Sequence, residues 1–257
     1  MALELYNAKQ STCSQRVRLA LNEKGLEFKE HLLDLMRGDQ FDPEYIKINQ
    51  NSLVPVLIHD GKTIIDSSVV LEYLEEVFPD DGPSFVPEDP YERSKMRSWM
   101  RFIDEVPAAM IRIPSYNYGF LRHFKTLTDE EFLAFAESKP LRREFMLKMG
   151  RTGFPQDELD KANKGLQRNI DRMHAALSDG RPWLMGEQFT FADIMVMPTI
   201  VRMDDLAMND MWKDAPTVPE WLDRLRARPA FKQTFYHGAL LTDMYPGILE
   251  DRAREQA

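Results

Sequence analysis

Leu3-Glu4-Leu5-Tyr6, followed by Ser11-Thr12-Cys13-Ser14-Gln15-Arg16-Val17 and the run on to Gly25, decides the fold. Apolar and polar residues alternate over the first four positions, which predicts a strand. Val17, Ala20 and Leu21 then recur at helical spacing until Gly25 supplies a stop. Between the two lie the hydroxyls of Ser11, Thr12 and Ser14 and the thiol of Cys13, all at the entry to the helix. A helix N-terminus points unpaired N–H groups and the positive end of its dipole outward, so an anion beside these hydroxyls is stabilised. The same hydroxyls also serve a plain N-cap, with no chemistry attached. Of the anions such a site suits, a thiolate gains most: sulfur is nucleophilic only after losing its proton, and hydroxyl donors at a helix end lower its pKa without a metal or a general base.

Working outward, an extended piece around Phe28 to Leu33 follows the helix. After a linker come Pro55-Val56-Leu57-Ile58 and Lys62-Thr63-Ile64-Ile65, separated by His59-Asp60-Gly61. Asp-Gly between two apolar runs signals a hairpin. Val70, Tyr73, Leu74 and Val77 make a helical stripe that ends before Pro79. The order is βαβ, a linker, then ββα. It predicts a small sheet with parallel and antiparallel neighbours and helices packed on it.

Residues 79–90 are rich in Pro, Asp and Gly and read as a connection, giving a first domain over 1–80, a linker over 81–90 and an all-α second domain over 91–257. Trp99, Phe102, Ile103 and Val106 form one helical stripe, and Leu166, Ile170, Met173 and Leu177 another. Thr190-Phe191-Ala192-Asp193 reads as a capping box, a folding signal.

The chain has 257 residues, 43% of them hydrophobic, enough for a sizeable core. Its net charge of −9, without a basic patch, argues against a nucleic-acid partner. No signal peptide and no membrane span is legible, and a single cysteine fits a reducing compartment, so a cytoplasmic protein is expected. The five histidines show no metal spacing, and no metal is expected.

Four motifs in register now carry a resemblance: Ser11 to Arg18, Val54-Pro55, Asp66-Ser67 opening a helix, and Thr190 to Asp193. Together they resemble the cytosolic glutathione transferase family, and the first of them its serine-type classes. The resemblance implies a thioredoxin-like α/β domain joined to an all-α helical bundle, glutathione as co-substrate, and a dimer formed with itself or a related subunit. It implies that Ser11 donates to the glutathione sulfur, with Ser14 a neighbouring candidate. Val54 would pair its backbone with the cysteinyl unit, ahead of a cis Pro55. Asp66 and Ser67 would hold the γ-glutamyl end, with Gln40 near the glycine carboxylate. Leu53 stands where family members often carry Lys or Gln, so the glycine end would be held more weakly or by another residue. Cys13 is the alternative nucleophile, through a mixed disulfide with glutathione.

The segment between Met110 and Phe154 is dense in aromatics, most of which would pack an extended helical pair. Met110, Ile113, Tyr116 and Tyr118 follow the first long helix, and the Ile113-Pro114 break would turn them toward the cleft. Tyr236 and His237, with Met244 and Tyr245, would close the same pocket from the C-terminal side. The extended segment, including Arg151 to Gln156, is similar to the bacterial branch of the family that cleaves lignin-derived β-aryl ethers. That similarity implies a hydrophobic aromatic electrophile. Glutathione thiolate would displace a phenolate from the carbon next to an aromatic ketone, with Tyr116 or Tyr118 near the departing oxygen. A conjugating or isomerising transferase acting on another electrophile is the alternative. A noncatalytic interaction module on the same fold is another.

Overall fold

The computed structural model describes residues 2–256. β1 (Leu3–Asn7), α1 (Thr12–Glu23) and β2 (Lys29–Leu32) make the opening crossover, with β2 parallel to β1. The stretch read as a linker contains a short helix, α2 (Pro43–Ile48). Asp42 caps it by accepting from the Glu44 amide at 2.8 Å, and Pro43 occupies the first turn, where its missing N–H has no partner to lose. β3 (Val56–His59) and β4 (Lys62–Ile65) form an antiparallel hairpin. Asp60 and Gly61 at its tip both take positive φ, 47° and 79°, as a tight primed turn requires. α3 (Ser67–Val77) completes the unit. The sheet order is β2-β1-β3-β4, so both pairing directions occur, as the sequence predicts.

Strand alternation sorts the two faces of this sheet. Leu3 and Leu5 enter the core beside Val17, Leu21, Leu57, Val70 and Leu74. Tyr6 points the other way, stacking on His31 with centroids 4.2 Å apart and meeting Tyr45 of α2 at 5.9 Å. The α3 stripe differs from expectation at its end. Val77 is 40% exposed, and Leu71 and Phe78 are buried in its stead, because the inward stripe follows Val70, Leu71, Leu74 and Phe78 at helical spacing.

The rest of the chain is helical. α4 (Pro90–Glu105) leads into the single turns α5 (Pro107–Met110) and α6 (Arg112–Pro114) and a wide π-helical turn over Ser115–Phe120. Next come α7 (Leu121–Phe124), α8 (Asp129–Glu137), α9 (Arg143–Met149) and the long α10 (Gln156–Leu177). α11 (Phe191–Asp205), α12 (Thr217–Arg226), α13 (Pro229–Thr234), α14 (Leu241–Met244) and α15 (Ile248–Gln256) follow. α11 is apolar on all sides and is the central helix, buried along nearly its whole length. The predicted stripe of Leu166, Ile170, Met173 and Leu177 lies buried in the same core. The aromatic segment builds a second core of its own, with Phe124, Phe132 and Phe154 buried and Phe120, Phe135 and Phe145 packed against them.

Three polar devices lock this arrangement. Thr190 and Asp193 make the predicted capping box at the start of α11, and Asp193 also accepts from the Leu184 amide at 3.0 Å and from Trp221 Nε1 at 2.9 Å. Arg16 of α1 is buried and reaches across to the helical half, donating to the Met195 carbonyl at 3.0 Å and to Asp104 at 2.7 Å. Lys24 Nζ, also buried, donates to the carbonyls of Phe78, Asp81 and Pro83 and pairs with Glu75 at 3.1 Å, which fastens the chain as it leaves α3.

Candidate active site

The turn between β1 and α1 brings the leading candidates to one end of the sheet. Ser11 is the N-cap of α1, in extended backbone, and its Oγ accepts from the Ser14 amide at 3.2 Å. Accepting leaves the hydroxyl proton free to be donated elsewhere. The amides of Thr12 and Cys13, in the first turn, find no acceptor among the described residues, as helix geometry dictates. Ser11, Thr12 and Cys13 all face a cavity of about 610 Å³.

Ser14 does not face it. It is fully buried, and its Oγ accepts from the Ala8 amide at 3.4 Å, tying the turn together from behind. One residue beyond Cys13, the helix has rotated its side chain inward by about 100°. Ser14 is thereby corrected from a candidate thiol ligand to part of the scaffold.

The second wall is the loop ahead of β3. Its Val54–Pro55 bond is cis, Val54 lines the cavity and Pro55 is buried behind it. Tyr45 Oη and Asn49 Nδ2 both donate to the Leu53 carbonyl, at 2.6 and 2.9 Å, and hold the loop in place. Burial pushes the Tyr45 phenol well above its ordinary pKa, against an opposing hydrogen bond with Asn49. Val54 itself keeps its amide N–H and carbonyl without a partner among the described residues, an open edge for an extended peptide. Gln40 also lines the cavity; its Nε2 donates to the Leu35 carbonyl at 3.3 Å, while its Oε1 is buried with no donor.

Asp66 and Ser67 stand at the start of α3, one step past Ile65, which pairs with Val56 across the hairpin. They are therefore neighbours of the cis loop, outside the cavity lining itself. Asp66 is exposed, takes φ 74° and accepts from the Ser68 amide and hydroxyl at 3.0 and 2.7 Å. The Ser67 hydroxyl is buried and accepts from Arg16 at 3.3 Å.

The helical half supplies the third wall. Tyr116 lines the cavity with its ring held by Phe120 and Phe145, each 5.0 Å away, and burial raises its phenol pKa. Phe120, Ile111 and Met244 add apolar surface. Four cations also reach this wall: Arg112, Lys139, Arg142 and Arg202. Arg202 is committed, donating to the Gln10 carbonyl at 2.7 Å and lying 3.6 Å from Asp205. Burial lowers its pKa to about 10.

The other residues expected at the pocket lie elsewhere. Met110 packs against Gly165 of α10, where a Cβ would come within 2.5 Å of its Cγ. Ile113 joins the second core, and Tyr118 faces the first, with Arg252 over its ring at 4.0 Å. Tyr236 donates to Glu30 Oε1 at 2.7 Å under the guanidinium of Arg18, and burial raises its pKa. His237 is 92% exposed in its side chain. Both belong to the segment after α13, which is tied to the start of α1 by Gln10 Nε2 donating to the Gly238 carbonyl at 2.6 Å and Gln15 Nε2 to the Ala239 carbonyl at 3.0 Å, and neither lines the cavity. Met244, expected beside them, does line the cavity, and the cation wall fills the rest of that side. Lys139 and Arg142 stand among other charged residues and read as a solvated face, whereas Arg112, alone in the apolar run from Met110 to Pro114, is the signal that could have been found.

Among the described residues, no group of three or more His, Cys, Asp or Glu side chains is placed to hold a metal ion. Nor is any helix among them long and apolar enough to cross a membrane. What the cavity offers is a helix N-terminus with a free hydroxyl proton, an open peptide edge, and a wall of aromatic rings and cations. This combination suits a small peptide with an acidic thiol lying beside an aromatic molecule.

The chain also matches known proteins. Residues 10–77 match the family model of the glutathione S-transferase N-terminal domain, and residues 137–229 that of the C-terminal domain. Protein LigF of Sphingobium sp. strain SYK-6 is 32% identical over 241 residues, covering 91% of this chain and 93% of its own. The crystal structure of LigF, described as a beta-etherase, superposes with a TM-score of 0.84 at 31% identity over 91% of this chain and 99% of that one. A tetrachloro-p-hydroquinone reductive dehalogenase of Sphingobium chlorophenolicum is 26% identical, covering 90% of this chain and 94% of its own.

Proposed function

This chain is an enzyme of the glutathione S-transferase family, and from that premise we propose that it binds glutathione along Val54 and the first turn of α1 and uses the thiolate to cleave β-aryl ethers of aromatic ketones. The observation that carries the glutathione half is the pairing of Ser11, an N-cap hydroxyl with a free proton, with the unpaired backbone edge of Val54 across one cavity. The tripeptide lies with its cysteinyl backbone on Val54, its γ-glutamyl end toward Asp66 and Ser67 and its glycine end toward Gln40. Its sulfur rests beside Ser11 and the amides of Thr12 and Cys13. There the hydroxyl and the helix end stabilise the thiolate, and the thiol proton passes to solvent. The chain acts as a dimer, with itself or a related subunit.

In the displacement, sulfur attacks the carbon that bears the ether oxygen. A C–S bond forms, the C–O bond breaks, and the bonding pair leaves on the phenolate. The neighbouring ketone lowers the barrier to attack at that carbon, so the protein's main tasks are to ionise the thiol and align it. Tyr116 seats the ring by aromatic contact and donates its phenolic proton toward the departing oxygen. The LigF relationship supports this substrate class over others, and the dehalogenase relationship is the reason to test against it.

The test is to incubate the protein with glutathione and a 2-aryloxyacetophenone and to follow products by mass spectrometry. A glutathione thioether and a free phenol in equal amounts are expected. No ether cleavage alongside rapid conjugation of a simple aryl halide would contradict the substrate class and leave the transferase. Cys13→Ser separates the two nucleophiles: turnover persists if glutathione attacks directly and vanishes if Cys13 must form a mixed disulfide.

A further inference from the structure

The far wall of the cavity carries charge that an uncharged aromatic substrate does not need. Arg112 comes from α6, and Arg142 from the short turn that precedes α9. Both face the cavity, and they are close enough that Arg142, after burial, is the next contributor to the lowered pKa of Arg112. Neither side chain has a hydrogen bond or ion pair among the described residues; Arg112 lies 6.0 Å from the centre of the Phe145 ring, with Cys13 and Tyr116 also within electrostatic reach. Lys139 stands on the same turn. It is buried, with Nζ 4.5 Å from the ring of Phe41 and 4.1 Å from that of Phe135, no carboxylate beside it, and a pKa lowered by burial to about 8.

Elsewhere the buried cations have acceptors, although Arg18 keeps its Nε without one. Arg16, Arg18, Lys24 and Arg202 each donate to carbonyls or side-chain oxygens. Arg112 and Arg142, which look into the cavity, have no such partner among the described residues, and Lys139 beside them is buried without one. The one carboxylate among the lining residues, Asp34, is exposed and already accepts from the amides of Met36 and Arg37 at 2.9 and 3.1 Å. Nor does the cluster follow the chain's overall charge, which is −9. Like charges gathered in a half-buried wall repel each other and lose hydration, and an anion placed between them relieves both.

We propose that the acceptor end of the cavity is built for an electrophile bearing a carboxylate or a comparable anionic group, held by Arg112 and Arg142 with Lys139 beside them. The proposal rests on the glutathione reading above. In that reading the tripeptide's own carboxylates lie along α3 and Gln40, on the sheet side, whereas Arg112 and Arg142 rise from the helical half next to Tyr116. A planar guanidinium gives a carboxylate two parallel hydrogen bonds, so the pair sets the orientation of the ring as well as its charge.

Two isosteric conjugates test this without knowledge of the true acceptor: S-(para-carboxybenzyl)glutathione and S-(para-carbamoylbenzyl)glutathione, with glutathione itself as the reference, titrated by calorimetry. The full-length protein should bind the carboxylate at least about tenfold more tightly than the amide, in line with a hydrogen bond to a charged group. The preference should shrink as salt is raised. Arg112→Gln and Arg142→Gln should each bring the ratio toward one while leaving glutathione affinity within about twofold, and Arg142→Lys should keep part of the preference. A ratio near one in the unaltered protein overturns the proposal and needs no variant. So does an equal loss for glutathione and both conjugates in the variants, which would give the cluster to the tripeptide. Failure of glutathione itself to bind removes the premise, and the proposal falls with it.

Discussion

Ser11 and Ser14 show how much one position on a helix decides. Both are small hydroxyls at a helix entry, and the sequence alone does not separate them. The first caps the helix and faces the cavity; the second lies one turn position deeper, inside the β1–α1 junction. Ser11→Ala should therefore raise the pKa of bound glutathione and cut turnover by about 10²-fold, the scale of losing one preorganised donor. It should also cost about 1 kcal/mol of stability through the lost cap. Ser14→Ala should lower the melting temperature and leave the thiol titration unchanged. Ser11, Cys13, Gln40 and Val54 all line the cavity; the helix entry marks the first two in the sequence itself, whereas Gln40 and Val54 were expected only from the family resemblance. Tyr236 and His237 do not line it, and nothing local in the sequence says where the chain returns after α13. The pair of Arg112 and Arg142 is visible only once two distant helices meet.

At the scale of elements, the hairpin at Asp60-Gly61 and the capping box at Thr190 could be read directly, since each is a backbone requirement met by adjacent residues. The π-helical turn over Ser115–Phe120 could not, because tertiary packing widens it. The capping box also carries a pH signature. Burial raises the Asp193 carboxyl from its ordinary value to about 6, against the opposing pull of its hydrogen bonds from Leu184, Trp221 and Thr190. A raised folded-state pKa means that the contribution is fully present below about pH 4, the unfolded value, and is lost as pH rises through about 6. Across that window it amounts to on the order of 2–3 kcal/mol. Denaturant titrations of Asp193→Asn should show a shallower fall in stability from pH 4 to 6 than the parent. The variant should also be about 1–3 kcal/mol less stable near neutral pH, because an amide N–H₂ faces the Thr190 donors. The cis loop makes a kinetic prediction. Tyr45→Phe removes one of the two donors to the Leu53 carbonyl, so KM for glutathione should rise about fivefold with kcat nearly unchanged, the effect of about 1 kcal/mol of lost positioning.

For the whole molecule, the βαβ and ββα pieces of the first unit were legible from periodicity, though not α2 between them, and the switch from mixed to purely helical pattern marked two kinds of structure. How they join was not. That junction is made by α1, which packs on α3 within the sheet unit and on α11 and α13 of the helical half, and by Arg16, whose guanidinium bonds both sides. With one continuous apolar core running through the junction, the chain should melt in a single transition seen alike by circular dichroism and tryptophan fluorescence. Arg16→Met should lower that transition by about 2–4 kcal/mol, since it leaves buried acceptors unmatched, and the two probes should remain coincident. Separation of the probes would show that the halves are held together less by the core than by this one side chain.

The central claim is that the sulfur of bound glutathione is ionised at the first turn of α1. Titration of thiolate absorbance in the binary complex tests it most directly. The account predicts a pKa lowered from about 8.5 to about 6–7 in the parent protein and returned most of the way by Ser11→Ala. A bound thiol that titrates as it does free in solution, or one whose lowered pKa ignores Ser11, would contradict it.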